Sequence, residues 1–217
     1  MATKESIQSA YIDIVLTTGD QPKSVYIFAR QNEMAEEEFY NFYGSFDAIE
    51  ASIWTDLAST TIAEISQQEI WQTYNSREKA LAFYYGFFEL SKSKRSFVTY
   101  SSRHIQRGFS TPKVLEGLKA EFESFSFKII QDGIESGELE DRKLFADRYK
   151  DALWVQFTFV LNFWINDMSA GFEKTDEAIE KGVNVTFDLF QRSPLDNLFD
   201  YAKFLINNGG LKQKLGF

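Results

Sequence analysis

Few residues in this sequence are suited to acid–base, nucleophilic or metal chemistry. The chain has no cysteine and a single histidine, His104, without an H-x-x-x-H or E-x-x-H spacing. Disulfides, thiolate metal sites and thiol catalysis are therefore excluded, and we expect neither a metal nor a cofactor. A nucleophile–base pair, a phosphate-binding loop and a dinucleotide fingerprint are missing as well, so the sequence does not predict an enzyme.

Carboxylates are abundant, and their excess lies near the N terminus. The 217 residues carry a net charge of −9 with a pI of about 4.8. Residues 1–60 hold ten acidic and three basic side chains. Glu36, Glu37 and Glu38 form a run within EMAEEEFYNFYGSFDAIEASIW, residues 33–54. Charge of this sign opposes nonspecific association with nucleic acid or anionic lipid.

Aromatic side chains are unusually frequent in this sequence. The 22 Phe, 10 Tyr and 4 Trp make up 17% of the chain. This share indicates large apolar volumes packed by rings, or a cavity lined by them. The longest apolar run, Leu81 to Phe88, is too short to cross a bilayer, and residues 1–20 do not have the pattern of a signal peptide. We therefore expect a cytoplasmic protein without a membrane segment.

Helices must position these residues, because apolar side chains recur at helical spacing and no useful period-2 alternation appears. The pattern predicts an all-α chain of about nine or ten helices. Three short helices come first, and Ser24 is the expected N-cap of the second. The longer helices are predicted at about residues 46–71, 76–88, 112–137, 143–169, 175–192 and 194–208. Thr175 is the expected N-cap of the fifth of these, and residues 91–110 are polar and basic.

Three short helices with two tight breaks predict a helix-turn-helix module at residues 1–47, joined to a helical bundle at residues 48–217. The module has an apolar residue and an alanine, Phe28-Ala29, before the turn Glu33-Met34. Phe39-Tyr40-Asn41-Phe42-Tyr43 follows, and then Gly44-Ser45-Phe46-Asp47-Ala48-Ile49. In these motifs the chain resembles the TetR family of bacterial transcriptional regulators.

The resemblance implies a DNA-binding face. Hydroxyls and backbone amides contact phosphates, Asn can recognise adenine, and Glu can accept from the cytosine amine. The candidate residues are Ser24, Glu37, Glu38, Tyr40, Asn41 and Ser45. Alternatively, the carboxylates of residues 36–38 only cap their helix, and Tyr40 and Asn41 are ordinary surface residues.

Three departures from the family pattern bear on this face. Glu33 replaces the turn glycine, and a residue with a side chain adopts φ > 0 only at a cost in conformational free energy. Phe46 replaces a lysine that meets phosphate in the family, and the carboxylates of residues 36–38 replace small polar residues. Together they predict weak or lost DNA binding.

The resemblance also implies an apolar small-molecule effector in the bundle and a homodimer. The candidate ligand-binding residues are Trp71, Phe83, Phe87, Tyr100, His104, Phe122, Phe125, Trp154 and Phe157. The candidate dimer-interface residues are Trp164, Ile179, Val183, Phe187 and Phe190. Burial in the core of one chain is the alternative for both sets, and a surface position is the alternative for His104.

The predicted protein is thus a TetR-like transcriptional regulator with weak or lost DNA binding and an apolar effector. The alternative is a protein of this fold that does not bind DNA and acts as a protein-interaction or ligand-sensing module. In that case the acidic N-terminal helices bind a basic partner.

Overall fold

The computed structural model describes residues 2–103, 111–141 and 146–191. In these ranges helices are the only regular secondary structure, as predicted. The α-helices are α1 (Lys4–Thr18), α2 (Val25–Gln31), α3 (Glu36–Tyr40), α4 (Phe46–Ser66), α5 (Ser76–Lys92), α6 (Arg95–Arg103), α7 (Glu116–Glu135), α8 (Ala146–Asn166) and α9 (Glu173–Phe190). Short 3₁₀ helices cover Glu69–Thr73, Lys113–Leu115 and Ala170–Phe172. No helix within these ranges combines the length and the apolar character needed to cross a membrane.

The first core packs the N-terminal helices together. Tyr11, Phe28, Phe39 and Ile49 come from α1, α2, α3 and α4 and are fully buried. Ser24 is the N-cap of α2, as predicted, because its Oγ accepts a hydrogen bond from the backbone of the first helical turn. The core of this module is therefore a small aromatic cluster held between short, well-capped helices.

The second, larger core lies among α4, α5, α7, α8 and α9. Its fully buried aromatic side chains include Trp54, Phe83, Phe122, Phe157 and Trp164. Because α4 contributes side chains to both cores, it connects the two parts of the protein without a break.

Several predicted helix boundaries are wrong. The helix expected to reach residue 71 ends at Ser66, and a 3₁₀ helix follows. Residues 95–103 of the polar, basic segment form α6. The helix α9 begins at Glu173, so Thr175 lies inside its first turn rather than at its N-cap. The helix predicted from residue 194 lies outside the described residues.

Candidate functional site

The face that would meet DNA consists of α2, α3 and the start of α4. Ser24 and Ser45 are N-caps, and their Oγ atoms accept hydrogen bonds at 3.2 Å from the backbone N–H groups of Ile27 and Ala48. Each hydroxyl still has its own O–H to donate. Tyr40 and Asn41 follow at the C-terminal end of α3, and both are exposed.

The three carboxylates at the start of α3 have different surroundings. Glu38 is half-buried, and its Oε2 accepts a hydrogen bond from the backbone N–H of Ala35 at 2.9 Å. This side chain therefore closes the start of the helix, as the capping interpretation requires. Glu36 and Glu37 are exposed, so two negative charges lie on the outer surface of the helix.

The turn before α3 keeps its special backbone conformation without a glycine. Glu33 has φ 53°, in the left-handed region, where a side chain costs roughly 1–2 kcal/mol. The turn is closed by the backbone N–H of Met34, which donates to the carbonyl of Ala29 at 3.0 Å. Glu33 itself is exposed and adds a further carboxylate near the same surface.

Phe46, at the position where the resemblance would place a lysine, belongs to the N-terminal core. It is half-buried, and its ring centroid lies 5.6 Å from that of Tyr11, 5.5 Å from that of Phe28 and 5.7 Å from that of Phe39. The sequence singled out this position as a departure, but only the structure shows that its side chain turns toward the other rings.

A buried carboxylate links this module to α6. Glu50, only 6% exposed, accepts hydrogen bonds from the Tyr11 hydroxyl at 2.6 Å and from Ser101 Oγ at 2.7 Å. Ser101 Oγ also accepts one from Trp54 Nε1 at 3.0 Å. Burial and the hydrogen bond to Glu50 raise the pKa of the Tyr11 hydroxyl. The sequence pattern does not predict this network, because it does not predict α6 itself.

The other end of α6 is fixed to the bundle. The Arg95 guanidinium donates to the carbonyl oxygens of Trp164 at 2.8 Å and Asp167 at 3.1 Å, where α8 ends. Burial lowers the pKa of Arg95. The helix α6 is therefore held by hydrogen bonds to α4 at one end and to the α8–α9 corner at the other.

Most of the candidate ligand-binding rings lie together. Phe122 and Phe157 have centroids 5.0 Å apart, and Phe83 lies 5.2 Å from Phe122. Phe87, Phe125 and Trp154 join the same cluster, and Trp71 contacts it from a half-buried position. Tyr100 is separate, because it belongs to the N-terminal core. His104 lies outside the described residues.

The five candidate dimer-interface residues are inside the chain. Trp164, Ile179, Val183 and Phe187 are fully buried, and Phe190 is 5% exposed. Two other apolar side chains of α9, Val185 and Leu189, lie four residues apart and are both 60% exposed. On α8 the outward positions are Val155 and Phe159, which are 66% and 65% exposed. In the sequence, the spacing of Val155 and Phe159 and of Val185 and Leu189, four residues in each pair, indicates this second apolar face.

In the ranges that the structure describes, no group of three or more His, Asp or Glu side chains is close enough to hold a metal ion.

The chain matches a protein family in its C-terminal part. A family profile described as "Tetracyclin repressor-like, C-terminal domain" matches residues 79–205, more than half of the chain. No curated protein matches the sequence.

Solved structures share the fold at low identity. A protein from Syntrophomonas wolfei named for the TetR family of transcriptional regulators has a TM-score of 0.65 and 18% identity, covering 86% of this chain and 93% of that one. The TetR transcriptional regulator from Nitrosomonas europaea has a TM-score of 0.62 and 11% identity, covering 86% and 98%. A regulatory protein of the TetR family from Rhodococcus RHA1 has a TM-score of 0.55 and 12% identity, covering 89% and 100%. These similarities show the fold, and the profile match shows that the chain belongs to the TetR family of transcriptional regulators.

Proposed function

We propose that this TetR-family protein is a homodimeric regulator whose helix-turn-helix has weak or no affinity for operator DNA. The observation that carries the proposal is the charge of the exposed face. Glu33, Glu36 and Glu37 are exposed there, and Phe46 packs inward where a cation would serve phosphate. Phosphate neutralisation by Lys and Arg supplies much of the affinity of such proteins for DNA. Residues 20–50 contain only two basic side chains that could contact phosphates, Lys23 and Arg30.

A titration of the DNA upstream of the protein's own gene tests this proposal. By fluorescence anisotropy at physiological salt, we expect binding no tighter than the nonspecific range, about 10⁻⁴–10⁻⁶ M. The double variant Glu36→Lys/Glu37→Lys should bind at least tenfold more tightly. Glu64→Lys/Glu69→Lys is the matched control, because it makes the same change of charge at two exposed positions, in the last turn of α4 and in the 3₁₀ helix that follows it. Nanomolar binding by the wild type with a steep salt dependence contradicts the proposal.

The dimer is expected to form through the outward faces of α8 and α9. Val155, Phe159, Val185 and Leu189 are each at least 60% exposed in the single chain, an unusual concentration of large apolar side chains on two adjacent helices. Such a face is self-complementary in a two-fold dimer. Sedimentation should detect a wild-type dimer at micromolar concentration and a Phe159→Glu monomer. Phe127→Glu, which changes an exposed ring on α7, should remain a dimer, and a monomeric wild type refutes the interface.

The apolar effector is expected among the rings of α5, α7 and α8. The supporting feature is the cluster of buried aromatic side chains that these helices share. Since these rings touch each other, a ligand has to separate them, and binding should raise the melting temperature. Native mass spectrometry of protein purified from its host should reveal a bound apolar compound. Phe157→Ala, which opens space in the cluster, should change the retained compound, and a ligand-free spectrum counts against this site.

A second candidate function is binding of a basic protein partner. It is favoured by exposed apolar side chains that lie beside acidic ones. Tyr26, Ile27, Tyr40 and Phe42 are 56%, 39%, 53% and 45% exposed, and they lie in the same stretch as the acidic side chains. Aromatic residues are enriched at protein interfaces, and carboxylates pair with arginine. Affinity capture should yield a basic protein that Phe42→Ser loses and Phe127→Ser retains. Equal capture by both variants removes this candidate.

A further inference from the structure

The helix α3 and the turns beside it combine exposed carboxylates with exposed aromatic rings. Glu33, Glu36 and Glu37 are exposed, and none of them forms an ion pair with a residue that the structure describes. Tyr40 and Phe42 follow and are 53% and 45% exposed. We call these five residues the acidic α3 surface. Exposed aromatic side chains rimmed by charged ones are a feature of protein-binding surfaces.

The negative charge of this surface has no cation of its own. Residues 31–76 contain nine acidic side chains and neither lysine, arginine nor histidine. Within the run of three carboxylates, only Glu38 is occupied, because it accepts the backbone N–H of Ala35. The nearest basic side chains in the sequence, Lys23 and Arg30, lie before and within α2. The acidic α3 surface therefore attracts positive groups and repels phosphate.

One of the exposed rings lies beside two of the carboxylates. Tyr40 follows Glu37 by three residues and Glu36 by four, and side chains at these spacings are neighbours on a helix, with Cβ atoms about 5–6 Å apart. The Tyr40 ring also lies at a right angle to the buried ring of Phe39, with centroids 5.4 Å apart, so the core of the module restrains it. The helix therefore offers a restrained ring and two carboxylates to one ligand.

This combination suits a guanidinium better than an ammonium. A guanidinium donates two parallel hydrogen bonds to one carboxylate, and its planar group stacks on an aromatic ring. An ammonium is a compact point charge that holds its water more strongly, so it gains less from a neighbouring ring. A ring with carboxylates next to it therefore selects arginine over lysine.

We propose that the acidic α3 surface binds an arginine-rich segment of a partner protein. Guanidinium groups of the segment pair with Glu36 and Glu37 and stack on Tyr40, and its apolar side chains cover Phe42. Basic arms of this kind occur in proteins that bind nucleic acid, so the surface takes the place of DNA for such an arm. This inference rests on the second candidate function, since it names the chemical group through which a basic partner binds.

Isothermal titration calorimetry at physiological salt with three matched peptides tests the proposal. Each peptide carries four copies of one residue, arginine, lysine or citrulline, in the same framework of glycine, alanine and leucine. Citrulline keeps the shape of arginine without its charge. We expect the arginine peptide to bind at least fivefold more tightly than the lysine peptide, and the citrulline peptide not to bind detectably. Equal affinities for the arginine and lysine peptides overturn the proposal, and so does binding of the citrulline peptide.

Substitutions locate the site on the chain. Glu36→Gln/Glu37→Gln should weaken binding of the arginine peptide at least tenfold. Glu64→Gln/Glu69→Gln is the matched control, because it removes two exposed carboxylates elsewhere and should leave the affinity unchanged. Tyr40→Leu keeps an apolar side chain but removes the ring, so the preference for arginine over lysine should disappear.

The same loss of affinity in both glutamine variants overturns the proposal, because the attraction would then come from the overall charge of the chain. An undiminished arginine preference in Tyr40→Leu overturns it as well. Circular dichroism checks that each variant is folded, and the glutamine variants decide the question if Tyr40→Leu is not. The DNA titration is separate: tight DNA binding refutes the proposed function, whereas weak binding of both DNA and the arginine peptide refutes only this inference.

Discussion

Replacing Asp167 by Asn should loosen the corner between α8 and α9. The Asp167 carboxylate is 7% exposed and accepts four hydrogen bonds. One oxygen receives Ser169 N–H at 2.8 Å and Ser169 Oγ–H at 2.7 Å. The other receives Thr175 N–H at 3.0 Å and Thr175 Oγ–H at 2.7 Å. One side chain therefore ties the loop after α8 to the first turn of α9.

The size of the effect follows from the number of bonds lost. An Asn at this position keeps one acceptor oxygen and places an NH₂ group where two donors point. Hydrogen bonds to charged acceptors contribute about 1.5–3 kcal/mol each, and the hydroxyls of Ser169 and Thr175 are free to rotate away. We therefore expect a loss of about 3 kcal/mol at pH 7, mainly from one stranded backbone donor. For a chain of this length that lowers the melting temperature by roughly 6–12 °C.

The pH dependence identifies the carboxylate as the cause. Burial alone would raise the pKa of Asp167, but the hydrogen bonds from Ser169 and Thr175 outweigh it and lower the pKa from 3.8 to about 2. Because the pKa is lower in the folded state, the stabilisation is fully present above the unfolded value and disappears as the pH falls through the folded value. The difference between wild type and Asp167→Asn should thus be constant from about pH 7 to pH 5 and shrink below about pH 4.

Urea unfolding followed by circular dichroism measures this difference at each pH. Glu173→Gln is the control, because it removes an exposed first-turn carboxylate of α9 and should cost no more than about 1 kcal/mol. A loss below about 1 kcal/mol for Asp167→Asn at pH 7 refutes the reasoning from bond number. A difference that does not change at low pH refutes the role of the charge.

Three further predictions concern the packing of the chain. Glu33→Gly should stabilise the protein by about 1 kcal/mol in urea unfolding, because it relieves a left-handed backbone, and a loss of stability contradicts this. Gly133→Ala should destabilise it by about 2 kcal/mol, since the new Cβ would lie 2.8 Å from Leu139 Cδ1, and a neutral result means that this contact relaxes. Glu50→Ala should cost about 3 kcal/mol by leaving the Ser101 hydroxyl and its neighbours without their acceptor, and hydrogen exchange should show faster opening of α6.

The helical content and the start of the chain were predictable from local signals. Ser24 is followed by apolar residues at helical spacing, and it caps α2 as expected. The helix α6 was missed because its buried residues, Phe97, Val98 and Tyr100, are dispersed among nine mostly polar positions. The end of α4 was misplaced because Gln67 and the following residues contain neither glycine nor proline to mark a stop.

The faces of α8 and α9 show what helical spacing alone does not determine. The helix α9 carries two apolar stripes, one through Ile179, Val183 and Phe187 and another through Val185 and Leu189. Spacing identifies both stripes, but which of them enters the chain's own core depends on the volume that α5 and α8 leave open. The bulkier stripe fills that core.

In the helix-turn-helix module, the buried residues that hold the fold are separate from the exposed carboxylates of α3. Phe28, Phe39 and Ile49 hold the module from beneath and are fully buried. Glu36 and Glu37 are exposed, so their charges can replace small polar groups without disturbing the packing. In the first turn of α3 their negative charges interact favourably with the helix dipole. On α3, buried Phe39 and exposed Glu36 and Glu37 thus lie on different sides of one short helix, so the charge of the outer side can differ while the inner packing stays the same.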